Sequence, residues 1–405
     1  MRILYITPFF QHPNIPGPTR HYHFIRELSK RHKITLLTPV KSYIPAKAME
    51  EMNSYTERIL TFDTIQNGVS PQADEWGRIQ KGLLQKAGKR LRQMRRNGQA
   101  IKEMKKAFLQ LVEREAYDVV LFHGKSVFSV IEDCDRLPVV VDVCDATSLR
   151  IAGMMPFASV PRLPWLMWKY HRIRQIERKI IKKTPYLAFI SNRDREAVLG
   201  RNSRARIVPN IVDVKYWKRR TNHREPNCII FSGAMDYHPN HDGALYLINQ
   251  ILPLARQSIP DLQVLIAGRD PRPELLEAAR PYPDITITGS VDDMRPYFER
   301  ATLCAASLRI ASGQQNKLLE AMAMEVPVVT TPVAAAGVQM DGIEAPLVVA
   351  EGEKAFAEEI LRLLTHEEER TRLAVAGRCF VEEHFGWAHS AEILEEMCIK
   401  AIKQD

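Results

Sequence analysis

The chain has 405 residues, 45% of them hydrophobic, with 57 Lys and Arg against 48 Asp and Glu for a formal net charge of +9. That length can bury two cores of roughly 150–200 residues each, and the lack of any uncharged apolar run of about 18 residues argues against a membrane-spanning segment and for a soluble protein. Six cysteines, at 134, 144, 228, 304, 379 and 398, form no CxxC pair; they suggest neither a zinc site nor a disulfide framework, and a reducing cytoplasm is the expected compartment.

Taken in chain order, the first residues, Met1-Arg-Ile-Leu-Tyr-Ile-Thr-Pro8, read as a buried strand. The apolar run is too short for a signal peptide and lacks a small-residue cleavage site. Strands are predicted at 2–7, 33–38, 117–123, 138–143 and 186–191, with a helix from Tyr22 to Arg31 after the first. Gly17, between Pro16 and Pro18, is not part of a GxGxxG loop, so dinucleotide binding is disfavoured. Arg20 either reaches a phosphate or acceptor or is a surface residue at a helix start. From Arg78 to Lys106 there are eleven Lys and Arg and one acid, Glu103, with Leu83, Leu84, Ala87, Leu91 and Met94 at roughly helical spacing. This is a basic amphipathic helix, suited to anionic lipid or to packing on its own domain with a solvated basic face. Pro161-Arg-Leu-Pro-Trp-Leu-Met-Trp-Lys-Tyr170 mixes aromatics and bases as membrane-interface segments do. No nucleic-acid-binding signature accompanies the charge. His123 ends a strand, where a polar side chain projects from the sheet. Asp142 and Asp145, after the next strand, either bind hydroxyls or cap a helix.

A polar segment running to about Asn227 reads as a linker, and a second alternating set follows, with strands at 228–233, 262–267, 284–288, 302–306, 326–330 and 346–349. The fold class is α/β, with two doubly wound Rossmann-like domains that bind ligands beyond the carboxyl ends of their strands. Ser232-Gly-Ala-Met-Asp-Tyr-His-Pro-Asn240 joins a strand to a helix near 242–250; Gly233 gives room, and Asp236 and Asn240 are placed to cap. Ala267-Gly-Arg269 and Gly289-Ser-Val-Asp-Asp293 also follow strands. The most informative stretch is Arg309-Ile-Ala-Ser-Gly-Gln-Gln-Asn-Lys-Leu-Leu-Glu-Ala-Met-Ala-Met-Glu-Val-Pro-Val-Val-Thr330. A glycine-containing turn opens a helix here. Free amides around Gly313 to Asn316 would face a diphosphate, with Arg309 and Lys317 supplying positive charge. Glu320 shares a helix face with Lys317 and is placed to accept hydrogen bonds from a ribose diol.

This turn, Lys317, Glu320, Ala-Met-Ala and Pro-Val-Val resemble the nucleotide-sugar site of GT-B glycosyltransferases of the large retaining family 4, the glycosyl transferases group 1. The family has two glutamates eight positions apart; Ser312 takes the first one's place and Glu320 the second's. A subgroup associated with exopolysaccharide clusters is similar in its Gln-Asn-Lys-x-x-Glu-Ala-Met-Ala-Met form and also lacks the first glutamate. The resemblance implies an acceptor-binding domain at 1–215, a donor-binding domain at 216–385 and a terminal helix, 386–405, crossing back to the first. It implies donor contacts from Gly233, Asp236, Gly268, Ser312, Gly313, Gln314, Asn316, Lys317, Leu318 and Glu320, and acceptor contacts from Gly17, Arg20 and Asp145. His123, Arg309 and Lys317 would be the catalytic set, with the loop at 289–293 reading the base.

The activity implied is transfer of a sugar from a UDP- or GDP-sugar to a hydroxyl of a glycan or lipid-linked acceptor, with retention, without metal or other cofactor, and with domain closure. The setting would be the cytoplasm, peripheral on the inner face of the plasma membrane, with segment 78–106 as the lipid contact. Two rivals share the nucleotide site: a GT-B nucleotide-sugar epimerase, and a catalytically silent nucleotide-sugar-binding subunit.

Overall fold

The computed structural model describes residues 1–15, 17, 19–64, 83–201, 203, 205–221, 223–340 and 343–404, with 83–91 described by backbone alone. Pro16, Pro18, Arg78 and Lys81 lie outside the described residues, as do the side chains of Leu83, Leu84, Ala87 and Leu91.

Seven strands form the first sheet: β1 (Arg2–Ile6), β2 (Lys33–Val40), β3 (Arg58–Asp63), β4 (Val119–His123), β5 (Val139–Cys144), β6 (Leu187–Phe189) and β7 (Arg206–Ile207), in the spatial order β3-β2-β1-β4-β5-β6-β7. Ile3 pairs in parallel with Ile34 on one side and Val119 on the other. A central parallel strand is covered on both faces, so both faces must be apolar. Accordingly Ile3, Leu4, Tyr5 and Ile6 are an unbroken buried run. The second sheet comprises β8 (Cys228–Ser232), β9 (Gln263–Ala267), β10 (Ile285–Ile287), β11 (Leu303–Ala306), β12 (Val328–Thr330) and β13 (Val348–Val349), in the order β10-β9-β8-β11-β12-β13. Its core gathers Ile229, Ile230 and Phe231 with Leu265, Leu303, Leu318, Phe298 and Phe356.

In both sheets the order of strands reverses beside the strand that comes first in sequence, between β1 and β4 and between β8 and β11. Open α/β sheets bind ligands beyond the carboxyl ends of the strands at such a point. That places His123 at one switch point and the Ser232–Gly233 turn at the other. By internal contacts, Met1–Cys144, Arg174–Ala188 and Ala391–Asp405 form one compact unit, and Asp145–Ile173 with Phe189–Ser390 form the second. Within the first unit, Glu395 of the terminal helix Trp387–Lys403 accepts from Arg31 and from His32 Nε2 at 2.7 Å.

The two doubly wound α/β domains are those the alternation predicts, with local differences. β3, unpredicted, is an edge strand paired only with β2, and its Arg-Ile-Leu-Thr-Phe-Asp sequence has a half-exposed pattern without a long apolar run. The first helix is Arg20–Leu28, two residues earlier than predicted at its start. The helix expected near 242–250 begins at His238, with Pro239 in its first turn, and continues through a wide turn at Leu247–Ile251. Asn240 is therefore inside the helix. Neither it nor Asp236 caps it.

Candidate active site

The second sheet ends in two glycine turns lying against each other. Gly233 N–H donates to Ala267 O at 2.9 Å and Met235 N–H to Arg269 O at 2.8 Å. A Cβ built on Gly268, whose φ is +154°, would stand 1.8 Å from Gly233 O. Gly233, at φ +141°, would bring a Cβ to 2.5 Å from Asn240 Nδ2 and 3.1 Å from Lys317 Nζ. Only glycine permits this approach of two backbones and one ammonium.

Lys317 enters from the first turn of the helix Asn316–Ala323, which no side chain caps. Its Nζ donates to Asn240 Oδ1 at 2.7 Å and lies 4.3 Å from the centre of the Phe231 ring. Burial lowers its pKa to about 8, against the raising influence of Cys304 and Glu320. Glu320, half-buried on the same face, is raised to about 7 by burial, with Lys317 opposing. None of the described residues hydrogen-bonds its carboxylate. The buried Ser232 Oγ also has no partner among the described residues. These groups line a pocket of about 620 Å³ together with Arg269, Gln314, Gln315 and Asn316, while Trp217, Tyr237, Val291 and Met294 give it apolar wall. One buried cation, one free carboxylate and open helix amides beside a partly apolar slot make a site for a phosphorylated, ring-bearing ligand.

The sequence-predicted donor residues divide at this pocket. Gly233, Gly268, Gln314, Asn316, Lys317 and Glu320 line it; Arg309, Asp236, Ser312, Gly313 and Leu318 do not. Arg309 is bound to Asp242, Nε to Oδ2 at 3.0 Å, and lies 4.5 Å from the Phe157 ring centre and 4.9 Å from that of Tyr246. Asp242 on a neighbouring helix takes the charge that the sequence assigned to a phosphate. The amide of Gly313 is likewise committed, donating to the buried Asp194 carboxylate at 3.1 Å. Asp194 Oδ1 also accepts from Ala146 N–H at 2.7 Å, so one carboxylate ties the turn to its neighbour. Gln314 exchanges two hydrogen bonds with the Asn210 backbone, at 3.0 and 2.9 Å. Leu318 is core, and Asp236 is exposed with its carbonyl accepting from Arg272. Ser312 Oγ is 3.5 Å from Asp145 Oδ2, and Asp145 also meets Arg150 at 3.2 Å. The N-cap position of the following helix is Ala146, and Asp145 Oδ1 lies 3.5 Å from the Thr147 hydroxyl in its first turn. Trp217 was missed; its signal was the Tyr216–Trp217 aromatic pair in an otherwise polar linker.

In the first unit, Gly17 is exposed while Arg20 is buried rather than on the surface. Its Nε donates to Asp142 Oδ2 at 2.8 Å. His123 Nδ1 lies 2.9 Å from the Asp142 carbonyl, which can only accept, so Nδ1 carries the proton and the Nε2 lone pair stays open. Burial lowers the His123 pKa. His21 lies against it at 4.0 Å between ring centres, and burial, the His123 ring and Arg20 hold it well below its ordinary pKa. His21, His123 and Asp142 offer ligand atoms within 4.8 Å of one another. However, the Arg20 guanidinium already neutralises Asp142, which removes the negative charge that a bound cation would draw on. The cluster suits a neutral, hydrogen-bonding histidine better than a cation.

Residues 226–366 match the family model of the glycosyl transferases group 1. The fold is similar to that of Anabaena HepE, solved with UDP and glucose, at 13% identity, 98% coverage of each chain and a TM-score of 0.62. It is also similar to sucrose-phosphate synthase from Thermosynechococcus elongatus, at 16% identity, 100% coverage of each chain and a TM-score of 0.67. TarM aligns at 10% identity over 98% of each chain with a TM-score of 0.66. No curated protein matches by sequence. The family match lies within the second unit, and the chain as a whole has the two-domain GT-B fold of these structures.

Proposed function

We propose that the protein transfers a sugar from a UDP-sugar, or failing that a GDP-sugar, to a hydroxyl of a glycan or lipid-linked acceptor in polysaccharide or cell-surface glycan assembly. The observation that carries this reading is the buried Lys317 ammonium beside the unbonded Glu320 carboxylate, above two glycine turns. A diphosphate brings the counter-charge that Lys317 lacks, and a ribose diol brings two O–H donors for Glu320. HepE has been solved with UDP and with UDP-glucose, which favours uracil as the base.

In the reaction the bond between sugar C1 and the diphosphate oxygen breaks and the acceptor oxygen bonds C1. With retention, the acceptor attacks on the leaving-group face and its proton passes to a phosphate oxygen of the donor. No protein nucleophile and no metal is required. Negative charge grows on the departing phosphate, and Lys317 with the open amides of its helix meets it. His123, with Nε2 open, would accept a hydrogen bond from a donor-sugar hydroxyl, and Gly17, Arg20 and Asp145 would belong to acceptor binding. On this reading 1–215 is the acceptor domain, 216–385 the donor domain and 386–405 the returning helix. Segment 78–106 would keep the enzyme at an anionic inner-face membrane. Ser312 would leave the donor sugar without the carboxylate contact usual in the family, a trait of the exopolysaccharide-associated subgroup.

The test incubates the full chain with UDP- and GDP-sugars, with and without lipid-linked glycan acceptors, and follows nucleotide release and donor identity by NMR. Release that needs acceptor, with the donor's anomeric configuration kept in the product, is the expected result. Isomerised donor without acceptor, or tight nucleotide binding with no turnover under any condition, would overturn it.

A further inference from the structure

Five of the sixteen exposed large hydrophobic side chains among the described residues fall within twelve positions: Phe157, Val160, Trp165, Met167 and Trp168. All belong to the second compact unit. Val160 is 79% exposed, Trp168 56% and Met167 52%, far from what a helix start packed on its own domain would show. Leu166, between them, is buried, so the helix beginning at Leu163 is seated by one face and leaves its aromatic face uncovered. Phe157 is partly taken up by Arg309, while Trp165 keeps 46% and Trp168 56% of its surface exposed.

The charge on this face has one sign. Lys169 stands 4.9 Å over the Trp165 ring and Arg172 5.4 Å over Trp168, at helical spacing of four residues, and Arg162 precedes them. No Asp or Glu occurs anywhere from 146 to 176. Burial, and then the fields of Arg150 and Arg162, lower the Lys169 pKa, so cations crowd this face even though Arg150 itself pairs with Asp145. Indole rings with cations directly above them favour the headgroup level of a bilayer, where the ring is buried at the acyl boundary and the cation meets lipid phosphate.

We infer that the Phe157–Arg172 face of the second unit docks on the surface of an anionic bilayer, inserting Trp165 and Trp168 with Val160 and Met167 at the acyl boundary. The inference deepens the lipid-linked-acceptor part of the proposed function and names a contact separate from segment 78–106. It is independent of the donor pocket.

The experiment uses the full chain with vesicles of phosphatidylcholine alone and of phosphatidylcholine with about one-third phosphatidylglycerol. Co-sedimentation with the anionic vesicles, a blue shift of tryptophan emission and quenching by brominated acyl chains are expected. Trp165→Ala/Trp168→Ala should weaken binding at least about tenfold, and Lys169→Glu/Arg172→Glu should do the same while flattening the salt dependence. A UDP thermal shift kept in each variant shows that the fold and the donor site survive, which separates failure here from failure of the donor reading. No binding by the parent protein, or binding that both variants retain, would overturn the inference. So would a concentration-dependent dimer, in sedimentation velocity, that the tryptophan variant abolishes, because the face would then be a protein interface.

Discussion

Lys317 and Glu320 carry opposed ionisation costs on one helix face, and pH should separate them. The folded pKa of Lys317, about 8, lies below its ordinary 10.5. The unfolded chain therefore binds more protons between those values, and this residue's contribution to stability rises with pH across that window. Glu320 is the reverse: its folded value of about 7 lies above 4.5, so its contribution is present at pH 4.5 and is lost as pH rises to about 7. Together the two contribute least between about pH 7 and 8, where a phosphate ligand would best use an ammonium. Lys317→Met should accordingly stabilise the unliganded protein near pH 7.5 by about 1–2 kcal/mol, measured by urea denaturation, while lowering kcat by more than it raises the donor KM. An unchanged or lowered stability would mean that Lys317 is not a desolvated charge. UDP affinity in the parent protein should fall above about pH 8, approaching about tenfold per pH unit, and calorimetry of Lys317→Met should show a flat profile. Glu320→Gln keeps the size of the side chain but cannot accept two charged hydrogen bonds, and should cost UDP binding about 1–3 kcal/mol; equal affinity in the folded variant would remove the ribose assignment.

At the scale of elements, the pocket is made by where strands stop. β8 ends at Ser232 and β9 at Ala267, and the glycine after each lets the two turns touch. Gly268→Ala puts a methyl into Gly233 O at positive φ, and should destabilise the protein by about 2–4 kcal/mol and weaken UDP binding. Gly386→Ala, where a Cβ meets nothing within 4 Å, is the control and should leave the denaturation midpoint nearly unchanged. The sequence was legible where one strand's chemistry is self-contained: Ile229-Ile-Phe231 and Val328-Val-Thr330 are apolar whatever their partners are. It was not legible for β3, whose edge position leaves half its side chains in water, nor for Arg206–Ile207, too short to carry a period. Among site residues, Lys317 and Glu320 could be read because their spacing on one helix fixes their common face. Arg309 and Gly313 could not, because Asp242 and Asp194, distant in sequence, compete for their donors. Asn240 was misread as a cap for a similar reason: the helix starts earlier than its composition suggests, and the side chain then points to Lys317.

For the whole molecule, the pocket proposed for the nucleotide is lined entirely by residues of the second compact unit, and this makes ligand stabilisation a regional effect. A ligand that binds only the folded state adds about 2.7 kcal/mol at one hundred times its Kd. In a cooperative unit of this size that raises the melting temperature by roughly 5–10 °C. UDP should therefore raise the melting of the second unit, and hydrogen exchange should slow in the turns at 233–240 and 267–269 and in the helix start at 314–320. Strands β1 to β5, which lie in the first unit, should exchange as before. On the proposed reading the leaving diphosphate is met by an ammonium and helix amides instead of a cluster of carboxylates, so EDTA should leave the shift intact. A shift that appears only with added magnesium would put a metal-bridged diphosphate in place of the Lys317 contact. Protection confined to the first sheet would move the nucleotide away from the glycine turns, and with it the assignment of Glu320 to ribose.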